Sequence, residues 1–139
     1  HALAAQLPPE LRSRVHLIPE TRDTTRYYRA ADLFVCTSKL ESYPRVVLEA
    51  MAYGLPIVTT PVFGIREQVR EGVNALFYDA GDSGALADRL RCVLQDEALR
   101  ARLASTSASV LALGTDFDEM AGSYADIFAE AWLSGGPLS

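Results

Sequence analysis

An α/β domain built on a parallel sheet is the fold class this sequence predicts, and three observations predict it. Short apolar runs alternate with stretches of helical periodicity as far as Tyr78. The runs are apolar on successive positions, as strands buried on both faces require. Beyond Asp82 only helical patterns remain. Strand, helix, strand, helix and then helices alone is the order of an α/β fold. The chain has 139 residues, which corresponds to a single domain that buries roughly 70% of its unfolded surface.

Val15-His16-Leu17-Ile18 reads as a first short strand, closed by Pro19. Arg22 to Ala31 follows as a short helix with Tyr27 and Tyr28 near its buried face. Leu33 to Thr37 is a second strand, apolar on both faces. Pro44 to Tyr53 is a helix with clear ends: Pro44 suits the first helical position, Gly54 the position just past the end, and Pro56 prevents continuation. Ile57 to Thr60 is a third strand, Ile65 to Arg70 a short helix, Glu71 to Asn74 a turn, and Ala75 to Tyr78 a fourth strand. Asp82 or Ser83 can cap the next helix, whose apolar positions Leu86, Leu90, Val93 and Leu94 recur at helical spacing. Asp96 opens another through Leu99 and Leu103 to about Leu113, where Gly114 stops it. Thr115 or Asp116 opens the last, with Phe117, Met120, Tyr124, Ile127 and Phe128 on one stripe, and residues 134–139 form a loose tail.

Composition removes several function classes. Apolar residues make up 49% and charged residues 22% of the chain, which is ordinary globular usage and excludes disorder, collagen and coiled coil. No apolar run approaches the roughly 18 residues of a membrane span, and no signal peptide opens the chain. A net charge of −5 argues against sequence-independent nucleic-acid binding. Cys36 and Cys92 lie far apart without metal-ligand spacing and read as reduced thiols. His1 and His16 are too few and too scattered for a metal site or a catalytic triad.

The chemistry concentrates on one helix. Val46, Val47, Leu48, Ala50, Met51 and Ala52 make the Pro44–Tyr53 helix apolar nearly all the way round, so it is expected to be buried, yet Glu49 sits in its middle. A buried carboxylate costs several kcal/mol unless something bonds to it. Its partner is either a nearby arginine or the hydroxyls of a ligand. Glu41 lies eight positions earlier, in a loop at the carboxyl end of a parallel strand, where such sheets bind ligands. Glu49 stands about five residues into the helix, roughly 7 Å along its axis, with its side chain leaning back toward the start. The two carboxylates can therefore bracket a ligand lying across the helix start. That start offers free N–H groups and the positive end of the helix dipole. Lys39 precedes it and Arg45 lies in its first turn, a place where a cation is mildly unfavourable unless an anion is near. Carboxylates for hydroxyls and a helix N-terminus for phosphate together describe a sugar nucleotide.

Glu41-Ser42-Tyr43-Pro44-Arg45-Val46-Val47-Leu48-Glu49-Ala50-Met51-Ala52-Tyr53-Gly54-Leu55-Pro56-Ile57-Val58 resembles the Glu-seven-residues-Glu signature of retaining glycosyltransferases with the GT-B fold, family four (group 1) in particular. Tyr28 to Val35 with Thr37-Ser38 resembles the segment before that signature. Gly64 to Glu67, Glu71 to Leu76 and Gly81-Asp82 resemble the segments after it, and Phe117 to Phe128 the closing helix. The resemblance runs from about Val15 to Phe128. It implies a partial, doubly wound, Rossmann-like sheet from the C-terminal, donor-binding domain, followed by C-terminal helices.

By that resemblance Glu41 is the catalytic-site carboxylate that hydrogen-bonds donor-sugar hydroxyls, and Glu49 holds the ribose hydroxyls. The backbone from Ser42 through Tyr43 and Arg45 to Val46 approaches sugar and pyrophosphate, with Lys39 and Arg45 on the phosphate side. Gly64 and Glu67 match a glycine and a glutamate expected to act as a structural cap. Asn74 is expected as a backbone device, because asparagine tolerates a left-handed conformation. Many family members carry glycine where this chain has Ser42 and Pro44. Proline has no N–H, so one backbone donor to the ligand is absent here, a subfamily mark.

The implied reaction transfers a sugar from a UDP-, GDP- or ADP-sugar to an acceptor hydroxyl with retention, in polysaccharide or glycolipid synthesis. Front-face substitution is the expected mechanism, without a protein nucleophile, cofactor or metal, since no Asp-rich motif is present. The resemblance covers only the later part of the donor domain. The acceptor domain, the first two donor-domain strands and the loop with a basic pair fall outside it. In the order 3-2-1-4-5-6 the first strand here would be strand three and the next strand four. Leu33–Thr37, Ile57–Thr60 and Ala75–Tyr78 are then a contiguous core, with Val15–Ile18 displaced, re-paired or swapped between chains. An unpaired edge invites a homodimer or strand swap. Alone, the chain is expected to be inactive and cytoplasmic, with peripheral contact to the inner membrane face left to the absent domain. A non-catalytic nucleotide-binding or interaction module on the same half-domain is the alternative. An epimerase or phosphorylase fits the glutamate spacing less well, and no Gly-x-Gly-x-x-Gly supports a dinucleotide oxidoreductase.

Overall fold

The computed structural model describes residues 6–111, Gly122 and residues 125–127. Its elements run in the order α1 (Pro9–Arg12), α2 (Thr25–Ala30), β1 (Phe34–Cys36), α3 (Arg45–Ala52), β2 (Ile57–Thr59), α4 (Ile65–Gln68), β3 (Ala75–Phe77), α5 (Ser83–Gln95) and α6 (Glu97–Leu111). The three strands form one parallel sheet in the order β1-β2-β3, the contiguous core expected from the sequence. Phe34 pairs with Ile57 and Ile57 with Ala75, so side chains on one level share a face. Ile57, Ala75 and Cys36 turn to the face covered by Val47, Ala50 and Met51 of α3 and Ile65 of α4. Val58 and Leu76 turn to the other, against Val93 of α5 and Leu103 of α6. Every residue of β2 is buried, which is why its sequence does not alternate.

Helix α6 braces the amino ends of the strands. The Ser107 hydroxyl donates to the Leu55 carbonyl at 3.1 Å, just before β2. The Arg102 guanidinium and the Thr106 hydroxyl donate to the carbonyls of Gly72 and Val73, just before β3. The carboxyl ends of the strands are thereby left to the loops. Among the described residues no helix is long and apolar enough to cross a membrane. Cys36 is buried, Cys92 exposed, and both are free thiols.

Several sequence expectations change. Val15–Ile18 forms no strand. Val15, Leu17 and Ile18 are 44%, 50% and 49% exposed, because no described strand lies alongside to complete a ladder and their apolar character alone cannot make one. The helix expected from Arg22 starts at Thr25, and that expected to reach Arg70 ends at Gln68. Pro44 caps α3 instead of opening it, since its ψ of 124° is extended. Gly54 takes the left-handed conformation expected past the helix end, with φ at 66°. Helix α3 buries one face only: Val46 is 43% exposed and Ala52 is exposed as well. Leu94, placed on the buried stripe of α5, is 53% exposed, whereas Val93 is fully buried. Asn74 is not left-handed; Gly72 takes that role with φ at 71°. Asn74 is instead buried, and its side-chain oxygen accepts the Arg70 N–H at 2.8 Å.

The expected caps of the later helices are present. Asp82 accepts the Ala85 N–H at 2.8 Å and Asp96 the Leu99 N–H at 2.8 Å. The end of the penultimate helix at Leu113 and Gly114, and the tail, lie outside the described residues. So does most of the last helix, of which Gly122 and residues 125–127 are described and helical.

Gly64 decides how the two site-side loops meet. A Cβ on it would overlap the carbonyl carbon and oxygen of Ser42, so only glycine permits the contact. Replacing Gly64 by alanine must push the loops apart, and we expect a loss of about 1–3 kcal/mol from this overpacking. Urea denaturation of the G64A chain measures it, and unchanged stability would show that the loops separate freely.

Candidate functional site

The candidate site lies on the loop from β1 into α3 and on the first turns of that helix. Pro44 places no side-chain oxygen over the α3 N-terminus, and no side chain caps it. The first N–H groups of any helix lack intrahelical partners, so those of Arg45 and Val46 are presented at the loop side with the positive end of the dipole. Ser42, Tyr43 and Val46 are all exposed beside them, Tyr43 at 49%. Lys39 is exposed in the same loop.

Glu41 is half-buried at the head of the loop and accepts the Ser38 hydroxyl at 2.6 Å. The Cys36 thiol lies 3.6 Å from the same hydroxyl, so β1 reaches the carboxylate through Ser38. Glu49 is not fully buried: its side chain is 35% exposed, which corrects the expectation drawn from the apolar helix. Two protein groups meet it. The Tyr28 hydroxyl donates to its Oε2 at 2.9 Å, and the Arg45 guanidinium stands 3.8 Å from its Oε1, one helical turn away. The arginine partner weighed from the sequence is therefore present, but 89% exposed, where such pairs contribute little. Arg45 leans along the helix toward Glu49. Glu67 is exposed, and Gly64 stands at the N-cap of α4, where no side chain caps the helix.

Three residues near the site were given no part in it by the sequence. Tyr28 orients Glu49 and stacks on Tyr53 with ring centroids 5.3 Å apart and planes 4° from parallel. Thr60 and Gln68 are buried in the neighbouring segment and bond to the loop. For Thr60 the available signal was a polar residue closing an apolar strand, whereas Gln68, set among Arg66, Glu67 and Arg70, carried none. Phe63, just before Gly64, is 67% exposed and held at a φ of 37°, a conformation that costs a non-glycine residue roughly 1–2 kcal/mol.

A hollow of about 310 Å³ lies nearby at the carboxyl end of β3, bordered by Pro61, Glu71, Tyr78, Asp79 and Arg89. A second of about 290 Å³ is lined by Tyr27, Tyr28, Phe34 and Leu55. Glu41 and Glu49 border neither. Among the described residues no three His, Cys, Asp or Glu side chains gather as metal ligands do. Chemically, two carboxylates supply acceptors for hydroxyl groups, and the helix start between them supplies donors for an anion.

Burial, followed by the bond to Glu49, pushes the Tyr28 phenol up to about 12 from its ordinary 10. A raised folded-state pKa means a contribution to stability that is complete below pH 10 and lost as pH rises toward 12. Urea midpoints followed through this range should fall more steeply in the wild-type chain than in Tyr28→Phe. Parallel curves would assign the alkaline loss to another group, such as Tyr78, whose phenol burial also raises.

Comparison with known proteins identifies the family. The sequence profile of "Glycosyl transferases group 1" matches residues 3–110. A D-inositol 3-phosphate glycosyltransferase of Xylanimonas cellulosilytica is 38% identical over 130 residues, covering 94% of this chain and 31% of that protein. The lipopolysaccharide core biosynthesis glycosyltransferase LpsE of Rhizobium meliloti is 34% identical over 111 residues, 80% of this chain and 32% of that one. Anabaena Alr3699/HepE in complex with UDP superposes with a TM-score of 0.71 at 28% identity, over 79% of this chain and 30% of that one. The same Anabaena protein is also known in complex with UDP-glucose. The chain thus spans about a third of the length of the curated relatives it matches. With the profile spanning most of the chain and the sheet superposing on a GT-B enzyme, this chain belongs to the group 1 glycosyltransferases and carries part of their fold.

Proposed function

We propose that this chain is the donor-binding part of a retaining glycosyltransferase, which passes a sugar from a nucleoside-diphosphate sugar to an acceptor hydroxyl. The observation that carries the reading is the uncapped N-terminus of α3, set between Glu41 and Glu49 on the carboxyl side of a parallel sheet. Glu49 accepts the ribose hydroxyls. Tyr28 already holds Oε2, and each carboxylate oxygen has a second lone pair to offer. Glu41, steadied by Ser38, accepts hydroxyls of the donor sugar. The diphosphate lies over the helix start, where the N–H groups of Arg45 and Val46 and the nearby cations of Lys39 and Arg45 meet its charge without a metal.

In this proposal catalysis is positioning combined with stabilisation of the leaving diphosphate. The acceptor oxygen attacks the anomeric carbon from the face the diphosphate leaves, and a phosphate oxygen takes the acceptor's proton. The sugar is thereby retained in configuration with no protein nucleophile. Binding of UDP by the Anabaena enzyme supports a uridine donor, with GDP and ADP sugars as competitors. Polysaccharide and glycolipid synthesis are the proposed settings.

Calorimetric titration with UDP, GDP and ADP tests the site. One diphosphate should bind saturably, and Glu49→Ala should weaken it about 10–100-fold, the value of one charge-assisted hydrogen bond. Equal binding by wild type and variant would remove Glu49 from the site. The chain by itself should also give no product from UDP-glucose and sugar acceptors, because the reading takes the acceptor-binding groups from another part of the protein; measurable transfer would overturn that division of labour.

A further inference from the structure

Three carbonyls of the donor loop, spaced three residues apart, each accept a hydrogen bond from the segment after β2. The Thr60 hydroxyl donates to the Ser38 carbonyl at 2.5 Å. The Gly64 N–H donates to the Glu41 carbonyl at 3.2 Å. The Gln68 side-chain Nε2 donates to the Pro44 carbonyl at 3.1 Å. In a planar trans peptide the carbonyl of one residue and the N–H of the next point in opposite directions. Turning the carbonyls of Glu41 and Pro44 toward this segment therefore turns the N–H groups of Ser42 and Arg45 away from it, to the exposed side of the loop.

Gln68 is the member of this row that stability alone does not explain. It is 3% exposed, and its Oε1 is buried without a partner among the described residues. Only the amide nitrogen can face a carbonyl, so the oxygen has no alternative orientation that keeps the bond. A buried acceptor left unpaired costs more than one ordinary hydrogen bond returns. An apolar side chain of similar volume would fill the same space without that cost. The Pro44 carbonyl also accepts the Val47 N–H at 3.2 Å within the first turn of α3. What the amide adds, and an apolar side chain does not, is a second bond that ties this peptide, and with it the Arg45 N–H, to the segment after β2.

We propose that Gln68 is a positioning residue for the donor diphosphate: by holding the Pro44 carbonyl it aims the Arg45 N–H at the phosphate. This rests on the donor-site reading above, and Gln68 itself touches no ligand. Thr60 and Gly64 complete the row, but both also serve the sheet and the loop contact, so Gln68 is the position that isolates the effect.

The test compares wild type with Gln68→Met, and with Gln68→Leu as a second apolar replacement, using UDP and uridine as probes. Uridine carries the ribose for Glu49 but no phosphate. The expected result is a melting temperature no lower than wild type and about fivefold faster hydrogen exchange at the Gly64 and Val47 amides. UDP binding should weaken about fivefold, the value of one hydrogen bond, while uridine binding is unchanged. Exchange and UDP affinity both within twofold of wild type would overturn the proposal. So would a variant that loses stability and binds UDP and uridine equally less well, which is the behaviour of a packing residue. If the wild-type chain binds no UDP, the donor-site reading and the aim at phosphate fail together, and exchange at Gly64 and Val47 still reports whether Gln68 holds the loop.

Discussion

The contact between Gly64 and Ser42 is the constraint on which the site depends. Two loops at the carboxyl ends of adjacent parallel strands approach so closely that one of them can carry no side chain at the point of contact. The approach brings the Gly64 N–H onto the Glu41 carbonyl and sets α4 beside the start of α3. From there the peptide orientations of the donor loop, the exposure of its N–H groups and the place of Glu41 follow. The parallel register of β1 and β2 supplies the frame, because it puts the ends of Cys36 and Thr59 on one level.

Glu49 shows how a polar group is accommodated on an apolar helix. Its helix turns Val47, Ala50 and Met51 into the core and leaves Val46 in solvent, so Glu49 stands at the border between them. At that border a phenol with a stacked ring behind it can reach one carboxylate oxygen, while the other faces outward beside Arg45. The desolvation that a buried carboxylate would suffer is largely avoided. A group held on one side and open on the other suits recognition of a diol better than a carboxylate sealed in the core.

The opposite end of the sheet is organised differently. Helix α6 sends hydroxyl and guanidinium donors to carbonyls just before β2 and β3, closing the amino ends with hydrogen bonds that no ligand needs to supply. Chemistry is left to the carboxyl ends, as in other open α/β sheets. Belonging to the group 1 glycosyltransferases is consistent with this polarity, since the loop with Glu41 and the start of the helix that carries Glu49 lie on the open end.

Sequence alone determined the α/β class, the three apolar strands, a helix cap at Asp82 or Ser83 and another at Asp96, and the eight-residue spacing of Glu41 and Glu49 about one helix start. Each of these depends on local chemistry: doubly apolar runs, capping side chains, and a fixed spacing on a helix. Tertiary structure decided which face of α3 is buried, whether Val15–Ile18 had a neighbour to pair with, and which groups hold the two carboxylates. Those outcomes depend on contacts between residues far apart in the chain, such as Tyr28 with Glu49 or Gln68 with Pro44. Gly72 taking the left-handed turn expected of Asn74 is of the same kind: both residues tolerate it, and the buried bond from the Arg70 N–H to the Asn74 side chain settles which one does. A pattern along the chain records what a residue favours, while only the folded neighbours decide what it meets.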